Sequence, residues 1–131
     1  MSQSKPAILQ RGEPQLFVSE LQRSYEFFVE KLGFAVVFRY GDPPTYAQVR
    51  RDGVRLNLRH LDNPVIDARL RERESLLSAL IAVDVVDDLY EEFRAAGADF
   101  HQTLRLEPWG ARDFILRDPD GNLILFASGA A

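Results

Sequence analysis

The chain of 131 residues is 46% hydrophobic and 27% charged, ordinary globular composition and enough length for a buried core. A formal net charge of −4 and the absence of cysteine exclude a broad nucleic-acid surface, a disulfide framework and thiolate metal or nucleophile chemistry. No run reaches the ~18 apolar residues of a membrane span, and MSQSKPAILQRGEP lacks a signal-peptide core, so the expectation is a soluble, cytoplasmic protein with neither membrane nor nucleic acid as partner.

Pro14–Val18 reads as a short strand. Ser19 then stands before a helix with Gln22 at capping-box spacing. Leu21, Tyr25, Phe28 and Leu32 form one apolar stripe, and Gly33 ends the helix. Phe34–Tyr40 is a strand and Gly41-Asp42-Pro43-Pro44 a loop. Tyr46–Arg51 and Val54–Arg59 make a hairpin around Asp52-Gly53. A two-residue turn there pairs Arg51 with Val54, Val49 with Leu56 and Gln48 with Asn57. Val49, Leu56 and Leu58 then share a face suited to a helix. Tyr46, Gln48, Arg50, Arg55, Asn57 and Arg59 share the opposite, polar face.

Residues 61–77 form a polar connector, charged in its second half, with room for a short solvated helix. Ser78–Val83 is a further strand. From there the chain repeats itself. Val86, Tyr90 and Phe93 reproduce the stripe of Leu21, Tyr25 and Phe28; Gly97 reproduces Gly33, and Asp84 takes the capping place of Ser19. The hairpin at Asp120-Gly121 matches that at Asp52-Gly53. Two βαβββ modules follow, one at about 8–60 and the other at about 78–128. A single such module leaves sheet edges exposed and one helix for cover. The expected fold is therefore α+β: one cupped, eight-stranded mixed sheet with helices outside.

The last hairpin spans Trp109–Phe126. With a four-residue loop at Asp118–Gly121, Arg117 pairs with Asn122 and Phe114 with Leu125. Phe114, Leu116, Leu123 and Leu125 are then expected inward, with Leu80 from the neighbouring strand. Leu123–Ala127 is apolar on both faces, which together with open sheet edges suggests a homodimer.

The runs VSEL…SYEFF…LGF (Val18–Phe34), VDVVDDLYEEFRAAG (Val83–Gly97) and WG…DPDGN before an apolar strand together resemble the vicinal-oxygen-chelate superfamily, from about Ile8 to Phe126. The resemblance implies one domain over residues 1–131 and, in enzymatic members, a divalent metal held by His, Glu or Gln from inward strands. The corresponding positions here are Glu13, Asn57, Ser78 and Leu125. Only Glu13 is a good ligand, so the resemblance points to the metal-free bleomycin-resistance-type branch: no cofactor, no metal, and a small organic molecule sequestered in a groove, usually of a homodimer. The alternative is a metal-dependent lyase or dioxygenase using Glu13 with Asn57.

The expected ligand-binding set is Tyr46, Gln48, Asn57, Arg59, Ser78, Leu80, Trp109, Phe114 and Leu125, polar in the first module and apolar in the second. Such a groove suits an amphipathic ligand. Trp109 either stacks on a planar ligand or plugs the groove rim. Arg50, Arg55 and Arg59 either recognise an anion or lie exposed, and Glu13 doubles as their possible ion-pair partner. His60 and His101 fit loop or strand-end roles, and Tyr25 and Tyr90 fit core packing. No nucleophile–base–orienter set and no Gly-rich phosphate loop is legible.

Overall fold

A computed structural model describes residues 5–129. Its elements run β1 (Gln15–Val18), α1 (Leu21–Glu30), β2 (Ala35–Tyr40), β3 (Tyr46–Arg51), β4 (Val54–His60), α2 (Ala68–Glu74), β5 (Leu77–Ala82), α3 (Val86–Ala95), β6 (Asp99–Leu106), β7 (Arg112–Arg117) and β8 (Leu123–Ser128). The βαβββ unit thus occurs twice, and the class is α+β. The ladders form two four-stranded sheets with matching orders, β1-β4-β3-β2 and β5-β8-β7-β6. In each, the first strand runs parallel to the last and the remaining pairs are antiparallel.

Period-two alternation sends Ala47, Val49, Leu56 and Leu58 to one face of the first sheet, all fully buried, where α1 packs with Phe28, joined by Leu32 just beyond the helix end. In the second sheet Phe114, Leu116, Ile124 and Phe126 pack with Phe93 of α3 in the same way. These two faces merge into one continuous cluster of buried side chains. The other face of each sheet has no α1 or α3 cover. Between the modules, Arg51 bonds Glu92 in bidentate fashion (Nη1–Oε2 2.6 Å, Nη2–Oε1 3.0 Å) and also donates to the Leu32 carbonyl. Gly33 lies under that guanidinium with φ +73°, and a Cβ there would come within 3.2 Å of Arg51 Nη1. Left-handed backbone and close approach both call for glycine.

The first hairpin has the expected register, with Arg51 opposite Val54, Val49 opposite Leu56 and Gln48 opposite Asn57. The last one differs. Arg117 pairs with Leu123, Leu116 with Ile124 and Phe114 with Phe126. Asn122 belongs to the turn instead of the ladder, because Asp118 holds it through both its backbone N–H (2.7 Å) and its side-chain amide (2.9 Å). One extra loop residue shifts the pairing by one and moves side chains to the opposite face. Phe114 and Leu116 are therefore core residues, and Phe114 is not on the groove-side face.

The capping box also fails to form. The N-cap of α1 is Glu20, without a side-chain cap bond. The Ser19 hydroxyl instead bonds Asp120 Oδ1 at 2.5 Å, and Gln22 bonds Glu26. Asp84 likewise does not cap α3, whose N-cap is Val85; the Val86 N–H donates to Ser128 Oγ. A tertiary partner has taken over the capping hydroxyl in the first module; in the second, the Asp84 carboxylate accepts from the adjacent Val85 N–H at 2.7 Å. In the connector, α2 is capped by Asp67, which accepts from the N–H groups of Arg69 and Leu70.

Candidate functional site

On the uncovered face of the first sheet, Gln48 is the centre of a closed polar network. Register places Gln48 opposite Asn57 on adjacent strands. The N–H of Asn57 donates to the Pro14 carbonyl, which brings the segment before β1 alongside. The Gln48 amide then donates to Glu13 Oε1 (2.7 Å) and Asn57 Oδ1 (3.0 Å) and accepts from Arg55 Nη1 (3.3 Å). Arg11 takes the other Glu13 oxygen at 3.3 Å. Both donors of the amide are used, and Gln48 is only 7% exposed. Tyr46 joins this face, stacked on Phe38 and accepting from Gln15. Arg59 lies opposite Tyr46 and is exposed.

On the second sheet, Leu80 and Leu125 are register partners on the face away from α3. Leu80 is 69% exposed and Leu125 half-buried, with Ile115 opposite it. Further along the same face, Gln102 Nε2 donates to the buried Asp113 at 2.7 Å, and Arg105 pairs with the buried Glu107. Burial pushes the Asp113 carboxyl up from its ordinary range, while Arg105 pulls Glu107 down. A polar, acidic end thus exists on the face expected to be apolar. Period two on β7 puts Asp113 with Ile115, which was the available signal; Glu107 precedes the strand and gave none.

The expected set therefore divides. Tyr46, Gln48, Asn57 and Arg59 share one sheet face with Glu13 beside them, and Leu80 and Leu125 share another. Ser78 sits where β5 shifts register and donates to Asn122 Oδ1 at 3.1 Å. Trp109 projects from the turn before β7 and is 69% exposed. Phe114 is in the core, ringed by Tyr90, Phe93, Phe100 and Phe126. A cleft of about 1200 Å³ between the modules is lined by Glu13, Arg55 and Leu80, but also by Arg51, Leu89 and Phe93; it takes in little of the expected set.

The four positions that would hold a divalent metal do not fit one. Both Glu13 oxygens are engaged, the Asn57 oxygen is bound to Gln48, Ser78 is engaged with Asn122, and Leu125 has no donor atom. Divalent sites need converging anionic or imidazole ligands. Among the described residues no group of three or more His, Asp or Glu is placed to hold a metal, and no helix is long and apolar enough to cross a membrane.

Comparison with known proteins agrees with this fold. The bleomycin resistance protein of Geobacillus stearothermophilus is 31% identical over 124 residues, covering 86% of this chain and 92% of that one. A bleomycin-binding protein from bleomycin-producing Streptomyces verticillus, solved with copper(II)-bleomycin, superposes with a TM-score of 0.75 at 27% identity, over 95% of this chain and all of the other. A bleomycin resistance determinant encoded on transposon Tn5 shares the fold at a TM-score of 0.75 and 20% identity, over 94% of this chain and 100% of that one. A family model matches residues 10–126, and the chain belongs to the glyoxalase/bleomycin resistance protein/dioxygenase superfamily.

Proposed function

We propose that this protein binds and sequesters a small organic molecule without metal chemistry, in grooves that two copies of the chain complete. The observation that carries the reading is the Gln48 network. The position where a metal site would need free ligands is instead filled by an amide whose donors are used on Glu13 and Asn57. With Gln48 saturated, the network holds Asn57 in place, and the Asn57 amide N–H groups and the exposed Arg59 are what this face offers to a ligand. The relatives named as bleomycin resistance and bleomycin-binding proteins support the same class.

The second copy is favoured by β2. All six of its residues are exposed, including Val36, Val37, Phe38 and Tyr40. An apolar edge strand is a surface that proteins normally cover. The groove would bring the Tyr46–Gln48–Asn57–Arg59 face of one copy towards the Leu80–Leu125 face of the other, with Trp109 at the rim. Its preferred ligand would be planar and apolar, with a hydrogen-bonding or anionic end towards Asn57 and Arg59.

Calorimetric titration with copper(II)-bleomycin and with anionic, neutral and cationic aromatic compounds tests this, with sedimentation alongside. A dimer binding one class stoichiometrically, with no divalent metal in the protein, is the expected result. A monomer at high micromolar concentration, or near-unit metal by elemental analysis, would overturn it. A preference for the cationic compounds would reassign the polar end of the groove to Asp113 and Glu107.

A further inference from the structure

The turn that ends α2 and the bulge at the start of β6 bring together three residues outside the groove set. Ser75 closes α2 in left-handed backbone, φ +51° and ψ +52°, a conformation uncommon for a residue with a Cβ. Its hydroxyl lies 2.9 Å from His101 Nε2. His101 stands where the β6–β7 register shifts between Phe100 and Gln102, and such bulges re-aim side chains. Its Nδ1 lies 3.0 Å from Glu72 Oε2, with the imidazole 14% exposed.

Glu72 is held in turn. Arg117 donates to its Oε1 from Nε (3.0 Å) and Nη2 (2.5 Å), while Nη1 pairs with Asp99 at 2.8 Å. That guanidinium keeps the Glu72 carboxyl below its usual range. The Glu72 carboxylate, 3.0 Å from Nδ1 although not in hydrogen-bond alignment with it, favours the tautomer with the proton on Nδ1, which leaves the Nε2 lone pair for the Ser75 hydroxyl. Arg117 Nη2, at the longer distance of 3.4 Å from Nδ1, is only a donor and favours the opposite tautomer, so His101 acts as a base where the closer Glu72 carboxylate prevails.

We propose that Ser75, His101 and Glu72 form a nucleophilic site, separate from the binding groove, that takes up acyl groups from small activated esters. Ser75 Oγ attacks the ester carbonyl carbon as His101 Nε2 accepts its proton. The carbonyl re-forms with cleavage of the bond to the leaving oxygen, which receives the proton from His101. Water then attacks the acyl-serine by the same route, and the balance is ester plus water giving acid plus alcohol. Glu72 is a positioning residue. Arg69, Arg73 and Arg117 line the shallow depression beside His101 together with Glu72; Arg73 and Arg117 are paired with carboxylates, so Arg69 is the cation that favours an acyl group with an anionic end. The N–H groups of Ser75 and Leu76 both donate to the Arg71 carbonyl, so neither is free as an oxyanion donor. Acylation therefore requires a good leaving group, such as a nitrophenolate.

The test is incubation with p-nitrophenyl acetate and p-nitrophenyl hydrogen succinate, following phenolate release and mapping the acyl group by peptide mass spectrometry. About one equivalent on Ser75 is expected, with the succinyl ester the faster. Ser75→Gly should abolish it while keeping the fold, because glycine adopts the left-handed backbone without strain. His101→Gln should slow acylation at least ten-fold. Glu72→Gln should slow it about ten-fold with the half-saturating ester concentration unchanged, a split that loss of packing alone would not give. Acylation confined to lysine, or a Ser75→Gly rate equal to wild type, overturns the proposal.

Discussion

Phe114→Ala separates core from groove most sharply. Phe114 has no exposed surface. Its ring contacts those of Tyr90 at 5.4 Å, Phe93 at 6.0 Å, Phe100 at 5.7 Å and Phe126 at 5.2 Å between centroids. Removing a buried phenyl ring costs about 3–5 kcal/mol in lost transfer energy and residual cavity. Four aromatic neighbours fixed by their own packing cannot collapse into the space, so the upper half of that range is expected. A domain of this size has about 5–15 kcal/mol in total, so the variant should remain folded at low temperature with a melting temperature lowered by ten degrees or more. Urea unfolding followed by far-ultraviolet dichroism gives the free-energy difference, and ligand titration on the folded fraction gives the affinity. The reasoning predicts a large stability loss with affinity nearly unchanged. A loss under 1 kcal/mol together with a ten-fold weaker ligand would refute it and return Phe114 to the groove wall.

Leu125→Glu places a carboxylate beside Leu80 on the apolar patch of the second sheet, and should weaken ligand binding more than ten-fold in the same calorimetric assay. Asp67→Ala removes the side-chain cap of α2 and should cost about 1 kcal/mol in urea unfolding if that helix melts with the rest of the chain. The carboxyl of Asp118 is pushed up by burial to about 6, from an ordinary value of 3.8. A raised folded-state value means that the native chain binds the proton more tightly, so this contribution is fully present below about 3.8 and disappears as pH rises through 6. Between pH 4.5 and 7 the wild type should lose about 2 kcal/mol relative to Asp118→Asn; an equal pH dependence in the two proteins would show that Asp118 ionises normally in the fold.

Where the physics is local, the sequence is a good guide. Period-two alternation and Asp52-Gly53 are enough to place Gln48 opposite Asn57, and the repeated stripes of Leu21–Phe28 and Val86–Phe93 locate both long helices. Asp118 defeats the same reasoning in the second hairpin. Nothing in DPDGN itself tells whether Asn122 joins the ladder or the turn; that depends on a buried carboxylate with room to accept from two groups of Asn122. Ser19 fails in the same manner, since its hydroxyl has a partner 101 residues away. The cluster of Ser75, His101 and Glu72 was illegible because two of its members lie on a connector and the third on a bulge, where no periodicity fixes direction. Glu107 and Arg105 escaped for a related reason, lying at the end of β6 where the register shifts.

The contacts of the 118–122 turn also bear on how the chain is made. Asn122 donates to the Phe17 carbonyl across 105 residues, and Asp120 accepts from both the N–H and the hydroxyl of Ser19. During synthesis the first module leaves the ribosome before the groups that complete the end of its first strand exist. Closing so long a loop is slow compared with forming either hairpin. For that interval, Phe17 and Ser19 present unpaired backbone groups at one edge of the sheet while the apolar β2 is exposed at the other, the pairing hazard typical of half-made sheets. Slowing translation through the second module, as by rare codons, is therefore expected to lower the yield of folded protein.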